Sequence, residues 1–367
     1  MSNNQPTQKS ANKHRPAGIK RFIFIALALH VPLFVYPVIR LCGWLELDVL
    51  LTVLILVPVV LSQVLSRWLL RNARAFLARS VRHVADLILG ISPIVLLTLM
   101  VFEVPVAFSL LEPRTAALSL LALVSVVTVL GVIFALLPAV KTVSFTSPRL
   151  KRPLRFVQIT DVHIGSRSSR FLAGVVRKVN AVSPEFLCIT GDFIDAGGIT
   201  LDDLASLRSL KCPVYFTSGN HERYEDFEQI LERLRSLDVE VLQTRSICPR
   251  EDIQILGIDD HDDPGQVEKE LKKLTADQNA FTILMYHRPN GLEDAERAGV
   301  DLMISGHTHN GQIFPFNLIV NRVFDRIVGL YEFGSARLYV SQGTGTWGPV
   351  LRVGTRCEIT LFELDAG

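Results

Sequence analysis

Four apolar stretches fill most of the first 140 residues of the chain, at 22–39, 49–65, 87–108 and 116–140. Each has about the 17–25 residues that a helix needs to cross the hydrocarbon core of a bilayer. The pattern therefore predicts four transmembrane helices. Because three further stretches follow the first one, we interpret it as a retained anchor rather than a cleaved signal sequence.

Basic residues flank these stretches unequally. Five lysines and arginines precede the first stretch, five lie between the second and third, and five follow the fourth, whereas each of the other two loops has one. This is the positive-inside pattern, and it predicts a multi-pass protein of the inner membrane with both termini in the cytoplasm. Arg67, Arg71, Arg74, Arg79 and Arg82 belong either to a helix extension that obeys this rule or to a surface helix that binds anionic headgroups.

From residue 154 onward the pattern changes to short β-rich apolar runs that alternate with amphipathic stretches, which is typical of an α/β layered domain. A basic segment with prolines, 141–153, reads as a linker. The predicted organisation is a polar cytoplasmic tail over 1–20, four transmembrane helices over 21–140, the linker over 141–153 and an α/β domain over 154–367.

Composition adds two constraints to this picture. The net charge is only +2, which argues against a nucleic-acid partner. The five cysteines are scattered and include no CxxC pair, so we expect reduced thiols, as on a cytosolic face.

Five polar clusters follow the apolar runs of the second half, each where a predicted strand ends. They are Asp161-Val162-His163, Gly191-Asp192 with Asp195, Gly219-Asn220-His221-Glu222, His287, and Gly306-His307-Thr308-His309. Carboxylates, imidazoles and an amide at the ligand-facing edge of a sheet suit divalent metals, and a lone carboxylate among them can bridge two ions. We expect Asp192 to be that bridge.

Several neighbouring residues have more than one interpretation. Asp195 is expected to orient an imidazole through its ring N–H, and His221 to act as a general acid. Glu222 reads as a favourable charge at a helix N-terminus. The acidic segment 257–264 reads as a solvated turn, with a contact to substrate at the rim of the site as the alternative.

The order D-x-H, G-D-x-x-D, G-N-H-E, H and G-H-x-H resembles the calcineurin-like metallophosphoesterase family over roughly residues 154–364, and the segment 339–348 resembles its membrane-associated bacterial branch. The resemblance implies two facing mixed β-sheets flanked by helices. It also implies a dyad of Asp195 and His221 near the leaving group, and two metal sites. One is held by Asp161, His163, Asp192 and His309, and the other by Asp192, Asn220, His287 and His307.

The function expected from this resemblance is that of a membrane-anchored phosphoesterase with two divalent ions, either Mn, Fe, Zn or Ni, with Mn favoured. A hydroxide bridging the ions would attack the phosphorus. A diester is favoured over a monoester, and a phospholipid or lipid-linked substrate fits a site near the membrane. The alternative is a metal-bound regulatory or scaffolding module for the membrane helices, without turnover. The sequence indicates no oligomeric state.

Overall fold

The computed structural model describes residues 28–66 and 76–367. By internal contacts the chain divides into two compact units, Met1–Ser125 and Val126–Gly367. Several predictions lie outside the described residues: the polar tail 1–20, the start of the first span at 22–27, and the placement of Arg67, Arg71, Arg74 and the Arg79 side chain.

In the part of the chain that the structure describes, four α-helices precede the first strand. They are α1 (Tyr36–Trp44), continuous with a π-helical turn at Val31–Val35, α2 (Val49–Val64), α3 (Phe76–Ala107) and α4 (Pro113–Leu136). Two stretches are long and apolar enough to cross a membrane, Ser80–Ala107 and Pro113–Leu136. The other apolar helices of the described chain, Ala28–Trp44 and Val49–Val64, are shorter. Two of the four predicted spans therefore have the length and composition of a membrane-crossing helix, and a four-helix transmembrane region is not confirmed.

The helices of the first unit pack around a small apolar core. Trp44, Leu99 and Leu120 are buried together with the small side chains of Ala116 and Ala117. These alanines belong to α4 and Leu99 to α3. Small residues let neighbouring helix backbones approach closely, which is how apolar helices associate where no water is present to drive them together.

The second unit is built on two six-stranded mixed sheets. The first has the order β1-β12-β2-β3-β4-β5 and the second β10-β11-β9-β8-β7-β6. Their strands are β1 (Ala139–Ser147), β2 (Leu154–Ile159), β3 (Leu187–Thr190), β4 (Val214–Thr217), β5 (Val239–Val241), β6 (Arg245–Arg250), β7 (Ile253–Ile258), β8 (Phe281–Tyr286), β9 (Leu302–Ser305), β10 (Gly329–Phe333), β11 (Ala336–Val340) and β12 (Glu358–Ala366). The α/β domain with two mixed sheets agrees with the prediction.

The two sheets pack face to face, because one buried cluster contains side chains of both. Phe156 and Phe362 of the first sheet share it with Ile255, Ile283 and Ile304 of the second. The outer faces are covered by helices. These are α5 (Ser169–Ala181), α6 (Phe227–Arg235), α7 (Gln266–Leu271) and α8 (Leu292–Arg297). A further short helix, α9 (Phe316–Val320), has no buried residue.

Helix α6 shows why the outer helices form. Its Phe227, Ile230, Leu231 and Leu234 recur with helical spacing, and the last three are buried against the first sheet. Such a stripe makes one face of the helix apolar, and packing against the sheet removes it from water.

The predicted linker is wrong, because Ala139–Ser147 is the edge strand β1. It pairs in parallel with β12, from Ala139 opposite Glu358 to Ser147 opposite Ala366. The fourth apolar stretch accordingly ends as a helix at Leu136 and not at 140. Pro138 has no backbone N–H to continue a helix, and it disfavours helical geometry in the residue before it. The α/β unit therefore begins before residue 154.

Candidate metal centre

The carboxyl ends of strands from both sheets meet at one edge, and the polar clusters lie there. Strand β2 ends just before Asp161, β3 before Asp192 and β4 before Asn220, while β8 and β9 end before His287 and His307. Parallel strands direct their carboxyl ends to the same edge of a sheet, where loops can bind ligands. The fold thus brings five segments of distant sequence to one place.

The first cluster consists of Asp161, His163 and His309, whose ligand atoms all lie within 4.8 Å of one another. His163 Nε2 lies 3.1 Å from His309 Nε2, and His309 Nε2 lies 3.3 Å from Asp161 Oδ1. All three residues are buried. Two ring nitrogens and a carboxylate oxygen therefore converge on one point away from solvent.

The second cluster consists of Asp192, His287 and His307. Asp192 Oδ2 lies 3.1 Å from His287 Nε2, and His287 Nε2 lies 3.1 Å from His307 Nδ1. Burial disfavours a charged His287, but the contact with Asp192 outweighs it and raises the pKa of His287 to about 10. Burial and the neighbouring His287 lower the pKa of His307 to about 3. Asp192 Oδ2 and His307 Nδ1 thus face the same ring nitrogen of His287.

Asn220 provides a test of whether these residues fit a metal. Its Oδ1 atom is buried and, within the described residues, accepts no hydrogen bond. A buried carbonyl oxygen without a partner costs free energy, so such atoms normally have a donor or a cation nearby. The donor set of imidazole nitrogens, carboxylates and one amide oxygen matches what divalent cations bind. The residues therefore fit divalent metals, without selecting one.

At three of the four candidate metal-site histidines, the outer ring nitrogen has a neighbouring polar group. His163 Nδ1 lies 3.3 Å from Asp195 Oδ2, and His287 Nδ1 lies 2.9 Å from the carbonyl oxygen of Thr190. His309 Nδ1 lies 3.1 Å from Arg352 Nη2. Such contacts orient the rings so that the other nitrogen faces the site.

Ligand loops at this edge use left-handed backbone geometry. Five of the candidate ligands have positive φ: Asp161 (53°), His163 (57°), Asp192 (49°), His307 (70°) and His309 (49°). This region is uncommon for residues other than glycine, and such strain concentrates at functional sites. Asp161 and His163 both reach the first cluster from this left-handed backbone.

Asp195 contacts His163, and among the hydrogen bonds and ion pairs of the described residues none joins it to His221, its partner in the dyad that the resemblance implied. Besides lying against His163, its carboxylate accepts hydrogen bonds from the Ser166 hydroxyl at 2.6 Å and the Ser166 N–H at 2.9 Å. Burial alone would raise the pKa of Asp195, but the contacts with His163 and Ser166 hold it below its ordinary value. The role of orienting an imidazole, also expected from the sequence, matches this geometry.

His221 lies at the mouth of the site. Its Nε2 is 3.9 Å from Asp192 Oδ2, and its backbone N–H donates to Asp192 Oδ1 at 2.9 Å. The rings of Tyr224 and Trp347 lie 5.6 and 5.7 Å from its ring centroid, and both are largely exposed. Burial lowers the pKa of His221, although Asp192 opposes this. The imidazole can therefore reach a ligand that enters between the two aromatic rings.

Glu222 has a different role from the one predicted. It is fully buried, and its carboxylate accepts hydrogen bonds from four backbone N–H groups, those of Asp192, Phe193, Ile194 and Gly219. The residue that follows His221 thus ties two ligand loops together. Burial and Asp192 raise the pKa of Glu222, and the amides oppose them, leaving it at about 7.

The acidic segment 257–264 is only partly a solvated turn. Asp259 and Asp260 are buried, and Asp259 Oδ1 accepts a hydrogen bond of 3.1 Å from the Ser218 N–H. Arg288 Nε donates to Asp260 at 2.6 Å, and Arg288 Nη1 lies 2.7 Å from Asp262. The segment therefore neutralises the arginine that follows the ligand His287.

Arg352 is a further residue that sequence reasoning missed. Its side chain is completely buried, and it donates to the His309 carbonyl oxygen at 2.9 Å and to those of Gln342 and Gly345 at 2.7 Å. The guanidinium thereby joins the loop of His309 to the loop after β11. Nothing at position 352 signals this role, since it lies 43 residues from His309 in an unremarkable segment.

Comparison with known proteins bears on this site. Residues 154–311 match the model of the calcineurin-like phosphoesterase family. An uncharacterized metallophosphoesterase of Campylobacter jejuni is 35% identical over 237 residues, 62% of this chain and 63% of that protein. A Bos taurus protein named "transmembrane protein with metallophosphoesterase domain" is 34% identical over 291 residues, 70% of this chain and 65% of that protein.

A third relative is matched over most of its length. This uncharacterized metallophosphoesterase of Aquifex aeolicus is 31% identical over 222 residues, 58% of this chain and 85% of that protein. The chain spans less than two thirds of the Campylobacter and Bos proteins.

Proposed function

Because the chain belongs to the calcineurin-like phosphoesterase family, we propose that it is a membrane-associated, metal-dependent hydrolase of phosphoesters with two divalent ions. The observation that carries this proposal is a pair of largely buried ligand clusters, which are linked by a hydrogen bond of 3.0 Å from the His307 N–H to Asp161 Oδ2. Asp161, His163 and His309 would hold one ion, and Asn220, His287 and His307 the other, with Asp192 shared. Two such ions lower the pKa of water and neutralise phosphoryl oxygens, and we favour Mn for both.

His221 is the residue we propose as proton donor to the leaving oxygen. It is the imidazole between Tyr224 and Trp347 at the mouth of the site, where the alcohol part of an ester would enter. Its Nε2 atom lies 3.9 Å from Asp192 Oδ2, so His221 lies beside the proposed ligands but is not one of them. Asp195 would act through His163 by holding that ring in place.

The charge of the rim favours a diester over a monoester. Arg288 is paired with Asp260 and Asp262, and Arg223 donates to the Asp260 carbonyl oxygen and lies 3.7 Å from Asp259. Both guanidinium groups are thus engaged by the acidic loop. A diester carries one negative charge and a monoester carries up to two. Binding a diester therefore requires less positive charge from the residues around the metal site.

We further propose that the substrate is a phospholipid or a lipid-linked phosphoester and that the α/β unit lies on the cytoplasmic side. Two membrane-length helices and relatives named as transmembrane proteins support membrane association. The alternation of basic flanks supports the orientation. Strand β1 begins three residues after the end of α4, which keeps the start of the sheet near the end of a membrane-length helix.

The test is hydrolysis of an aryl phosphodiester and the matching monoester by the detergent-solubilised full chain, stripped of metal and titrated with Mn²⁺. We expect metal-dependent turnover that prefers the diester. Asp192→Asn should lower it by roughly 10³-fold or more, because the shared ligand is lost. His221→Ala should lower it by about 10²–10⁴-fold.

The exposed Asp202 provides a matched control, since Asp202→Asn should leave turnover unchanged. Absence of turnover despite two bound ions per chain would contradict the proposal and favour the regulatory module. A preference for the monoester would contradict the argument from the rim arginines.

A further inference from the structure

An exposed apolar ridge lies on the segment that follows the last metal-site histidine. It consists of Phe314, Phe316, Leu318, Ile319 and Val323, and the exposed fractions of the last three are 57, 58 and 70%. Helix α9 spans Phe316–Val320, and backbone bonds continue its turns to Phe324. Phe316, Ile319 and Val323 therefore recur with helical spacing on the solvent side, the reverse of the usual pattern for a surface helix.

A contiguous apolar ridge in contact with water is energetically unfavourable. Single exposed apolar residues are common on proteins, but a contiguous group marks an interaction surface. The opposite side of the same segment faces the metal centre, where the Phe324 ring lies 5.4 Å from the His307 ring. One short segment thus contacts the site with one side and exposes apolar side chains on the other.

The ridge is connected to the last turns of α4 through one loop. The Phe314 N–H donates to the Val353 carbonyl oxygen at 2.9 Å, and the Arg352 N–H donates to the Gly131 carbonyl oxygen at 3.0 Å. A Cβ atom at Gly131 would lie 2.7 Å from Leu351 and 3.3 Å from Val353, so glycine permits this close approach. The ridge is therefore continuous with the end of a helix that is long and apolar enough to cross a membrane.

Two arginines beside the ridge suit an anionic lipid surface, while the exposed Asp325, two residues after Val323, opposes it. Arg322 is exposed between Ile319 and Val323. Arg356, on the loop that contacts α4, is exposed and lies over the ring of Phe134 of that helix at 5.4 Å. Apolar side chains with arginines beside them are the composition of segments that lie in the headgroup region of a bilayer.

We propose that the apolar ridge inserts into the headgroup region of an anionic bilayer, in the leaflet at which α4 ends. Its side chains would enter the boundary between headgroups and acyl chains, to a depth of about 5–10 Å, while Arg322 and Arg356 contact lipid phosphates. The mouth of the metal centre is then held beside the lipid surface. This inference concerns position alone and holds whether or not the protein hydrolyses phosphoesters.

The experiment measures the depth of a fluorophore in the full chain. With the exposed Cys248 and the half-buried Cys212 both replaced by serine, Asn321→Cys is labelled with an NBD maleimide. The protein is then placed in nanodiscs of phosphatidylethanolamine and phosphatidylglycerol. Position 321 is polar and exposed, so the dye replaces no side chain of the ridge. Acyl-chain doxyl lipids should then quench the emission by about half.

Two variants make the result specific. The dye at Glu232→Cys, on the exposed side of α6, should not be quenched. Leu318→Asp with Val323→Asp should abolish quenching at 321, because two charged side chains oppose insertion. In phosphatidylcholine discs the quenching should be weaker, since the arginines lose their anionic partners.

Three outcomes would overturn the proposal. The first is no quenching at 321. The second is emission shifted to the blue without quenching by lipid, which would mean that another protein segment or a second copy covers the ridge. The third is quenching that persists in the double variant. Equal quenching in phosphatidylcholine would remove the role given to the two arginines.

Discussion

The partner of a carboxylate decides what it does at this site. Asp192 and Asp195 are three residues apart, but Asp192 lies 3.1 Å from His287 whereas Asp195 lies 3.3 Å from His163. The sequence indicated that both belong to the site. The pairing of Asp195 with His221 came only from the resemblance to the family. In the structure the Asp195 carboxylate lies against the outer ring nitrogen of His163, a candidate ligand.

Asp195→Asn is therefore expected to weaken metal binding rather than proton transfer. Loss of the charge behind His163 removes what orients that ring and makes it basic, which typically lowers metal affinity about 10–100-fold. Metal affinity is measured by a competition titration with Mn²⁺. The pH–rate profile is measured at saturating metal, and the limb of that profile assigned to His221 should keep its pKa.

Asp203 offers a matched control for this substitution. Its carboxylate also accepts hydrogen bonds from hydroxyl and amide groups, those of Ser169 and Thr200, but it lies outside the ligand clusters. Asp203→Asn should leave metal affinity unchanged. Asp195→Asn could instead leave metal affinity unchanged and shift the limb of the pH–rate profile that is assigned to His221. That result would contradict the role given to Asp195 here and support an Asp195–His221 dyad.

At the scale of elements, strand β1 shows where the hydrophobic pattern was insufficient. Its side chains alternate between exposed and at least half-buried, with Val143 and Ser147 fully buried, but the inward-facing set includes the polar Lys141 and Ser147. Lysine and proline nearby made the region look like a linker. Its partner β12 begins at Glu358, more than two hundred residues away. A local sequence pattern does not indicate which distant strand will pair with β1.

Val143→Pro in the full chain tests whether β1 is a strand. Proline supplies no N–H to a β ladder and would also remove a buried valine from the cluster between the sheets. Loss of that side chain alone costs roughly 1.5–3 kcal/mol, so thermal denaturation should begin several degrees lower. Val143→Ile keeps an apolar β-branched side chain and is the control. An unchanged melting temperature in the proline variant would show that the segment behaves as a linker.

At the scale of the whole molecule, the prediction that remains open is orientation. The alternating basic flanks predict that the α/β unit faces the cytoplasm, and the two membrane-length helices agree with membrane association without giving a direction.

Cys248 reports this orientation, because it is exposed while Cys188 and Cys357 of the same unit are buried. A membrane-impermeant maleimide should label it in inside-out vesicles and not in intact cells. Cys248→Ser corrects for labelling of the half-buried Cys212. Labelling in intact cells would place the unit on the other side of the membrane.

The sequence by itself determined the residue types of the candidate site and the class of fold. Each ligand motif directly follows a short apolar strand, so strand and ligand are encoded within a few adjacent residues. The alternation of strands and amphipathic helices likewise depends on local periodicity, which side-chain burial produces in any α/β domain.

Only the tertiary structure decided which groups meet. Four contacts join residues far apart in the chain or on separate loops: the amides of residues 192–194 with Glu222, the His309 carbonyl oxygen with Arg352, β1 with β12, and Asp195 with His163. Such contacts depend on how strands are ordered and how loops turn. The same holds for the apolar ridge, whose side chains look like core residues in the sequence until the fold leaves them exposed.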